Sequence, residues 1–362
     1  MGLFELNFIE YLINFNVPHW LIFILRQIIY FSFAAILMFL AVLFLVLFER
    51  KYLAFFTRRK GPNRVGFCGC LQTIADALKI LFKENILPDN SDKLMYYIAP
   101  IIVFAPVMTV YFLIPYSSDI TPFSSSTGII LFCAILSLPV IGVIFAGYST
   151  GNKYSLIGAV RSCIQVISAE IPIFLVLASV VILSNSMNLY DIVVMQNGSL
   201  FNWNIFPSLL GFIIFFICSL ITLNRIPFDF PEAESELVAG YNCEYSGMKF
   251  AMFFLGEYAL TFIFSVFTAC LFLGGYNPPF GGYLADHFNL SFISGEILKN
   301  IEQFFWLIFK TFVLILIIMW IRAAYPRFRT DKALELCWYI FIPLALFNLI
   351  VVCCVQYFRE LL

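Results

Sequence analysis

Eight long apolar stretches are the feature that most constrains the fold of this chain. A helix that crosses a bilayer needs roughly 20 consecutive apolar residues, so each stretch predicts one span. Of the 362 residues, 62% are hydrophobic and 12% are charged, whereas a water-soluble domain carries about 25% charged residues. The predicted spans are residues 28–48, 96–115, 129–147, 163–183, 205–223, 250–273, 304–321 and 338–358. The sequence therefore predicts an all-α membrane protein with about eight transmembrane helices, folded as one polytopic domain over residues 1–362.

A shorter segment, residues 71–82, has the pattern of an amphipathic helix. Leu71, Ile74 and Leu78 recur at helical spacing, while Gln72 and Lys79 fall on the opposite face. A helix of this kind lies in the membrane interface. We expect an interfacial helix between the first two spans.

Lys and Arg are concentrated in the loops after the first, third, fifth and seventh predicted spans. Of 21 basic residues, the exceptions are Arg26, Lys299, Lys310 and Arg359. Basic loops remain on the side of insertion, so this pattern predicts an even number of spans with both termini on the outer side. The net charge of −1 argues against a nucleic-acid-binding protein.

The ten cysteines do not predict a metal site. Most lie inside apolar runs, where Cys behaves as a small buried hydrophobe. Cys68 and Cys70 share a loop without a second pair nearby, and His19 and His287 are far apart in the sequence. No glycine-rich dinucleotide motif follows a strand. We expect no metal and no redox cofactor on this chain.

Charged side chains inside the predicted spans are candidates for function. Glu170 lies about two turns inside the fourth span, beside Pro172. An ionised, unpaired carboxylate at that depth is costly, so we expect it to be protonated, paired or facing a hydrated cavity. It could serve a proton relay or a purely structural hydrogen bond. For Glu257 and Lys310, also inside spans, a buried ion pair is the simplest account.

The loop after the fifth span is rich in carboxylates. Asp229 and Glu232 have the spacing of a capping box, which predicts a short helix here. Glu232 and Glu236 would lie one turn apart on one face, with Glu234 pointing elsewhere, so repulsion would raise the pKa of at least one of them. A raised pKa suits proton exchange near neutral pH. If all three side chains point into water, this expectation does not hold.

Four strings in the charged segments carry a family resemblance. They read FERKYLAFFTRRKGPNRVGFCGCLQTIADALKILFKE, GYSTGNKYSLIGAVRSCIQVISAE, NRIPFDFPEAESELVAGYNCEYSGMKFAMFFLGEY and WIRAAYPRFRTDKALELCW. In this order, across residues 49–349, the chain resembles subunit 1 of the proton-pumping NADH:quinone oxidoreductase, respiratory complex I. The resemblance implies an eight-helix membrane subunit at the heel of the complex. Membrane-bound hydrogenases carry a similar subunit, so the family alone does not fix the electron donor.

The resemblance also implies which residues act. The subunit would form much of the quinone-binding passage and supply the first carboxylates that link quinone reduction to proton pumping. Quinone binding would fall on Glu49, Arg50, Asp76, Arg225, Phe228, Asp229 and Arg322. The proton relay would fall on Glu170, Glu232, Glu234, Glu236 and Glu244. Structural alternatives are interfacial snorkelling for Arg50 and a pair with Lys79 for Asp76.

The resemblance further implies a substrate and partners. Ubiquinone would be the substrate, with FMN and iron–sulfur clusters on partner subunits. Soluble quinone-site and iron–sulfur subunits would dock on the charged inside loops, and other membrane-arm subunits would lie alongside. The 44 Phe residues suit an AT-biased coding genome, so we expect the mitochondrial inner membrane with both termini in the intermembrane space; the bacterial plasma membrane is the alternative.

Two positions depart from the family pattern. Thr222 stands where many relatives have Glu, and Ala169 stands where Tyr is common. A carboxylate and a phenol are therefore absent from the expected proton route. A secondary transporter and a structural anchor for soluble subunits are the rival functions from other classes. The anchor predicts that quinone analogues label other chains and spare this one.

Overall fold

The computed structural model describes residues 19–231, 234–280, 282 and 295–361, and no strand occurs among them. Seven helices of this described part are long and apolar enough to cross a membrane, which confirms the predicted helical membrane fold. The helices are α1 (His19–Phe56), α2 (Gln72–Leu81), α3 (Lys93–Val110), α4 (Gly128–Ser149), α5 (Lys153–Ser184), α6 (Leu189–Met195), α7 (Leu209–Thr222), α8 (Glu234–Leu237), α9 (Gly247–Phe272), α10 (Gly295–Ala324), α11 (Thr330–Glu335) and α12 (Ile342–Leu361).

The core lies where the more buried spans meet. Helix α5 packs against α4, α7 and α12, and α9 packs against α3 and α10. Phe132 and Phe267 stack with ring centroids 3.7 Å apart in this core, and both are fully buried. Exposed apolar side chains such as Leu40 on α1 and Phe347 on α12 form the outer surface. This arrangement suits a helix bundle whose solvent is lipid.

Helix α1 is longer than the predicted first span. It continues through Glu49, Arg50 and Lys51 to Phe56, and its 38 residues correspond to a length of about 57 Å. The apolar stretch therefore marks the part that lies in lipid, while the helix itself carries its charged final turns beyond the bilayer core.

Helix α7 is shorter than the predicted fifth span, residues 205–223. Its 14 residues correspond to about 21 Å. The chain before it is irregular but bonded to protein: the Ile205 N–H donates to the Phe272 carbonyl at 3.1 Å, and Asn204 Nδ2 donates to the Leu271 carbonyl at 3.0 Å. Irregular backbone at membrane depth is tolerated where protein satisfies it in this way.

The helix predicted from the amphipathic pattern of residues 71–82 is present as α2. A tight loop precedes it, in which Gly69 has φ +77° and a Cβ would lie 2.2 Å from the Pro62 carbonyl oxygen. Lys51 Nζ on α1 donates to the Cys68 carbonyl at 2.6 Å. These contacts fold the loop against the end of α1.

The last span begins earlier than predicted. A π-helical segment, Leu336–Phe341, joins α11 to α12, so a continuous helical stretch runs from Thr330. π-Helical turns are rare and often occur at functional sites.

The expected ion pair between Glu257 and Lys310 is wrong. Lys310 Nζ donates to the backbone carbonyls of Leu273, Gly275 and Asn277 at 2.6, 2.8 and 2.6 Å. These carbonyls follow the C-terminus of α9, where a cation is favoured by the helix dipole. The ammonium is therefore satisfied by backbone rather than by a carboxylate.

Candidate functional site at the inner membrane boundary

Three elements bring Glu49, Arg225 and Arg322 together at the membrane boundary. Glu49 comes from the last turns of α1, Arg225 from the loop after α7, and Arg322 from the end of α10. Arg322 donates to Glu49 Oε1, and Arg225 Nη1 lies 3.7 Å from Glu49 Oε2. The Arg225 guanidinium also lies over the ring of Tyr258, 4.1 Å from its centroid. We call these four residues the boundary cluster; it places one carboxylate between two guanidinium groups.

A second group holds the loop after α7 against the loop after α10. Arg327 Nη2 donates to Asp229 Oδ2 at 3.0 Å. Phe228 stacks on Phe328 with centroids 5.5 Å apart, and the Phe328 N–H donates to the Pro227 carbonyl at 3.0 Å. The predicted short helix is present as α8, but it begins at Glu234, later than a cap at Asp229 requires. The Asp229 carboxylate is oriented toward Arg327.

Gln165 anchors this loop, and sequence reasoning missed it. The side chain is buried on α5, and its Nε2 donates to the carbonyls of Ile221 and Phe228 at 2.7 Å each. The sequence does carry a signal for this contact, since Gln165 is an amide within an apolar run. A buried amide in a span requires hydrogen-bond partners. Gln165 thus fixes the distance between α5 and the loop that carries the acids.

Glu170 faces a cavity inside the bundle. The cavity has a volume of about 60 Å³ and lies among α3, α4, α5, α7 and α9, with Thr222, Tyr241 and Glu257 also in its lining. Glu170 is 8% exposed, and its Oε1 has no hydrogen-bond partner in the described part of the chain. The Tyr241 hydroxyl donates to Glu257 Oε1 at 2.8 Å. The space exceeds what one water molecule needs, so it can hold water between the two carboxyl groups.

Sequence reasoning did not connect Glu170 with Glu257, nor did it find Tyr241. The two acids are far apart in the chain, and only the packing of α5 against its neighbours brings them to one cavity. Tyr241 lies in the loop after α8, where no spacing rule relates it to a residue of α9. A single sequence carries no signal for this contact.

Glu236 does not have the predicted raised pKa. Arg161 Nη1 donates to Glu236 Oε2 at 2.6 Å, and this hydrogen bond, together with the positive charge of Arg161, holds the pKa of Glu236 below its usual value of 4.5. The side chain of Glu236 is 57% exposed. The pKa of Glu236 is therefore not the one that is raised, and the prediction of a raised pKa for at least one of Glu232 and Glu236 stays a prediction. Glu232 lies outside the described residues, as does the side chain of Glu234.

The remaining predicted residues lie in two further places. Glu244 Oε1 accepts a hydrogen bond from Asn152 Nδ2 at 2.9 Å. Arg50 Nη1 donates to Asp76 Oδ2 at 2.5 Å, and Gln72 Nε2 donates to Asp76 Oδ1 at 3.1 Å. Asp76 thus pairs with α1 rather than with Lys79, so the Arg50–Asp76 pair ties α2 to the end of α1.

The predicted quinone-binding residues therefore fall into three neighbouring groups on one side of the bundle, and Glu170 lies inside it. Within the described residues, no group of three or more His, Cys, Asp or Glu side chains is placed to hold a metal ion. The fold and site define a class: polytopic helical membrane proteins with an ion-paired face at one boundary and carboxyl groups buried in the spans.

Comparison with known proteins identifies the family. A family model described as NADH dehydrogenase matches residues 29–353. Two proteins named as a subunit of NADH-quinone oxidoreductase, from Rickettsia prowazekii and Rickettsia typhi, are 44% and 43% identical over 322 residues, 89% of this chain and 91% of each relative. The protein of the same name from Brevibacillus brevis is 42% identical over 326 residues, 89% of this chain and 92% of the relative. The chain belongs to the NADH dehydrogenase family, which confirms both the resemblance and the expectation of an enzyme subunit.

Proposed function

We propose that this chain is the membrane subunit of a proton-translocating NADH:ubiquinone oxidoreductase that forms much of the quinone-binding passage and supplies the first carboxylates of the proton route. Membership of the NADH dehydrogenase family supports this proposal, as do the names of the similar bacterial proteins. The observation that carries it is the cavity shared by Glu170 and Glu257, which Asn224 and Tyr241 connect to the charged loops.

Quinone binding is assigned to the boundary. Glu49, Arg225 and Arg322 would meet the headgroup, because guanidinium groups donate hydrogen bonds to carbonyl oxygens and stabilise negative charge that develops on them. Phe228 and Asp229 would form the adjoining wall. Arg50 and Asp76, which join α1 to α2, would line the part of the passage nearest to lipid.

The proton route is assigned to the carboxylates of the loop after α7 and to Glu170 within α5. Glu232, Glu234, Glu236 and Glu244 would respond first to the charge change that accompanies quinone reduction. Glu170 would receive that change inside the bundle, through the cavity it shares with Glu257. A buried carboxyl group without an ion pair is suited to take up or release a proton when nearby charge changes.

Cofactors, partners and location follow from the same assignment. Ubiquinone is the substrate, and FMN and iron–sulfur clusters belong to partner subunits. Soluble subunits would dock on the inside loops, and adjacent membrane-arm subunits would pack along the bundle, with the whole chain acting as one polytopic domain. We assign the chain to the mitochondrial inner membrane with both termini on the intermembrane side; the alternative is a bacterial plasma membrane.

Replacement of Glu170 tests this function. In the assembled complex, Glu170→Gln should lower the rates of NADH-driven ubiquinone reduction and of the coupled proton translocation about a hundredfold, the lower end of what a positioned proton-transfer group contributes. Electron transfer from NADH to a water-soluble acceptor should persist, because assembly and the upstream cofactors remain. The matched control is Glu296→Gln, which neutralises an exposed carboxylate at the start of α10 and should leave all three activities unchanged. Full coupled activity in the Glu170→Gln complex would refute the assignment.

A further inference from the structure

Most cations of the inside loops fall into two groups, those with a carboxylate partner and those without one. Seven of them lie within 4.0 Å of a carboxylate: Arg50, Arg161, Arg225, Arg322, Arg327, Arg329 and Lys332. Eight others are exposed and form no ion pair with any carboxylate that the structure describes; Lys93 and Lys153 are the first residues of α3 and α5, and the remaining six lie near one another in the sequence: Arg58, Arg59, Lys60, Arg64, Lys79 and Lys83. We call these six the basic rim. Their charge is left uncompensated by the rest of the described chain.

The basic rim occupies one continuous segment, from the end of α1 to the end of α2. The loop between these helices is folded back, because Lys51 binds the Cys68 carbonyl and Gly69 lies against Pro62. The carboxylate within the segment, Asp76, is already paired with Arg50. An exposed carboxylate, Glu84, follows Lys83 at its edge. The segment therefore presents a strong excess of positive charge.

Exposed apolar side chains alternate with these cations. Phe55, Phe67 and Phe82 are 76%, 88% and 86% exposed, and Leu78 and Leu81 on α2 are also exposed. Helix α1 is a spanning helix whose last residue is Phe56, so the segment lies at the height of the lipid headgroups. A helix with cations on one face and large apolar residues on the other is typical of membrane-surface binding.

We propose that the basic rim binds the headgroups of acidic phospholipids, while Phe55, Leu78 and Phe82 enter the acyl region beside them. Acidic lipids attract cations close to the membrane surface, and here the cations have no competing carboxylate in the described chain. An acidic soluble subunit would satisfy the charges, but it would leave the apolar side chains between them without an apolar environment. A bilayer with acidic headgroups satisfies both. This lipid site does not depend on the role proposed for the buried carboxyl groups.

Photolabelling of the intact complex tests the proposal. The complex is reconstituted into phosphatidylcholine vesicles that contain a minor share of phosphatidylglycerol, one of the two lipids carrying a photoactivatable headgroup. We expect residues 55–86 to be labelled more strongly by the phosphatidylglycerol probe than by the phosphatidylcholine probe. The double variant Lys79→Gln, Lys83→Gln should lose labelling by about fivefold for each cation at low ionic strength. In the wild-type complex, high salt should weaken the same labelling, because salt screens exposed charges.

The control is the double variant Arg329→Gln, Lys332→Gln. These exposed cations have carboxylate partners in Asp331 and Glu335, and their loss should leave labelling of residues 55–86 unchanged. Equal labelling by both probes, insensitive to salt and to Lys79→Gln, Lys83→Gln, would overturn the proposal. So would carbodiimide crosslinks from Lys79 or Lys83 to acidic residues of a soluble subunit in the absence of lipid labelling, since the segment would then be a protein interface.

Discussion

Glu236 illustrates how one neighbour decides the charge of a carboxylate. Its hydrogen bond from Arg161 lowers its pKa, which favours the ionised form of Glu236 near neutral pH. The ion pair contributes to stability above the normal pKa of Glu and loses that contribution as the pH falls through the lowered value. Glu236 would take part in a relay only after Arg161 moves away.

Glu236→Gln should therefore lower the rate of quinone reduction by a similar factor at each pH between about 6 and 9, where an ordinary or lowered Glu pKa causes no titration. The measurement is the pH profile of the assembled complex beside that of the wild type. Glu244→Gln provides a comparison within the same loop. Disappearance of an inflection near neutral pH in the Glu236→Gln profile would contradict the lowered pKa.

The hydrogen-bond partners of Lys310 could not be predicted from the sequence. A lysine inside a span indicates a buried cation with a partner, and this inference is correct. The partner was predicted as Glu257, whereas the structure provides the carbonyls of Leu273, Gly275 and Asn277. Backbone acceptors after a helix end have no side-chain signature, so the sequence reveals the need for partners and not their identity.

At the scale of elements, the length of the apolar stretches predicted which segments form spanning helices, but it located the ends of those helices poorly. The first span was found, but its helical extension through Glu49 follows from continued backbone bonding and not from hydropathy. The start of α7 was missed because Ile205, Phe206 and Pro207 are apolar but irregular, and the Ile205 N–H donates to the last carbonyl of α9. The amphipathic period located α2 within one residue at each end. The boundary cluster combines residues from four elements, and a sequence shows which of these residues are charged but not the distances between them.

The contact between α5 and the loop after α7 depends on Gln165. Gln165→Leu would keep the volume but remove the side-chain donor from the Ile221 and Phe228 carbonyls, which retain the backbone N–H groups of Asn224 and Phe230. The cost is about 1 kcal/mol for each hydrogen bond lost. We expect the loop of residues 224–246 to become sensitive to limited proteolysis in the assembled complex, and quinone reduction to fall with it.

Gln303→Leu is the matched control for Gln165→Leu. Gln303 is also buried, and its Oε1 accepts from the Ser118 N–H and hydroxyl at the opposite end of the bundle. Both variants should lower thermal stability, but only Gln165→Leu should expose residues 224–246. Equal protease resistance of that loop in the two variants would show that Gln165 is not its anchor.

At the scale of the whole molecule, the charge pattern and the order of the helices predict the same orientation in the membrane. The basic loops follow α1, α4, α7 and α10, and the short loops near Asn197 and Ser118 carry few cations. Insertion retains basic loops on one side, so we expect every ion-paired group of the candidate site and the basic rim to lie on one membrane face. Such a concentration on one face is consistent with the proposed docking of soluble partners. A sequence can predict it because basic residues can be counted along the chain, whereas side-chain contacts cannot.

Labelling of cysteines tests the orientation directly, and its outcome depends on whether the short helix α7 crosses the membrane. Cys68 and Cys70 are exposed in the loop before α2. Asn197 is exposed after α6, and Arg329 is exposed before α11 with its side chain 87% accessible. In sealed vesicles of defined orientation, a membrane-impermeant maleimide should label Cys68 and Cys70 from the inner side. In a Cys68→Ser, Cys70→Ser background, it should label Asn197→Cys from the outer side and Arg329→Cys from the inner side.

The helices between these positions decide the outcome. Helices α3, α4 and α5 lie between the cysteine pair and Asn197, while α7, α9 and α10 lie between Asn197 and Arg329. Three crossings place each pair on opposite faces. If the 14 residues of α7 did not cross, Asn197→Cys and Arg329→Cys would be labelled from the same side, and the eight-span topology with both termini outside would be wrong. Opposite labelling would establish α7 as a full crossing, completed by the irregular segment that α9 holds in place.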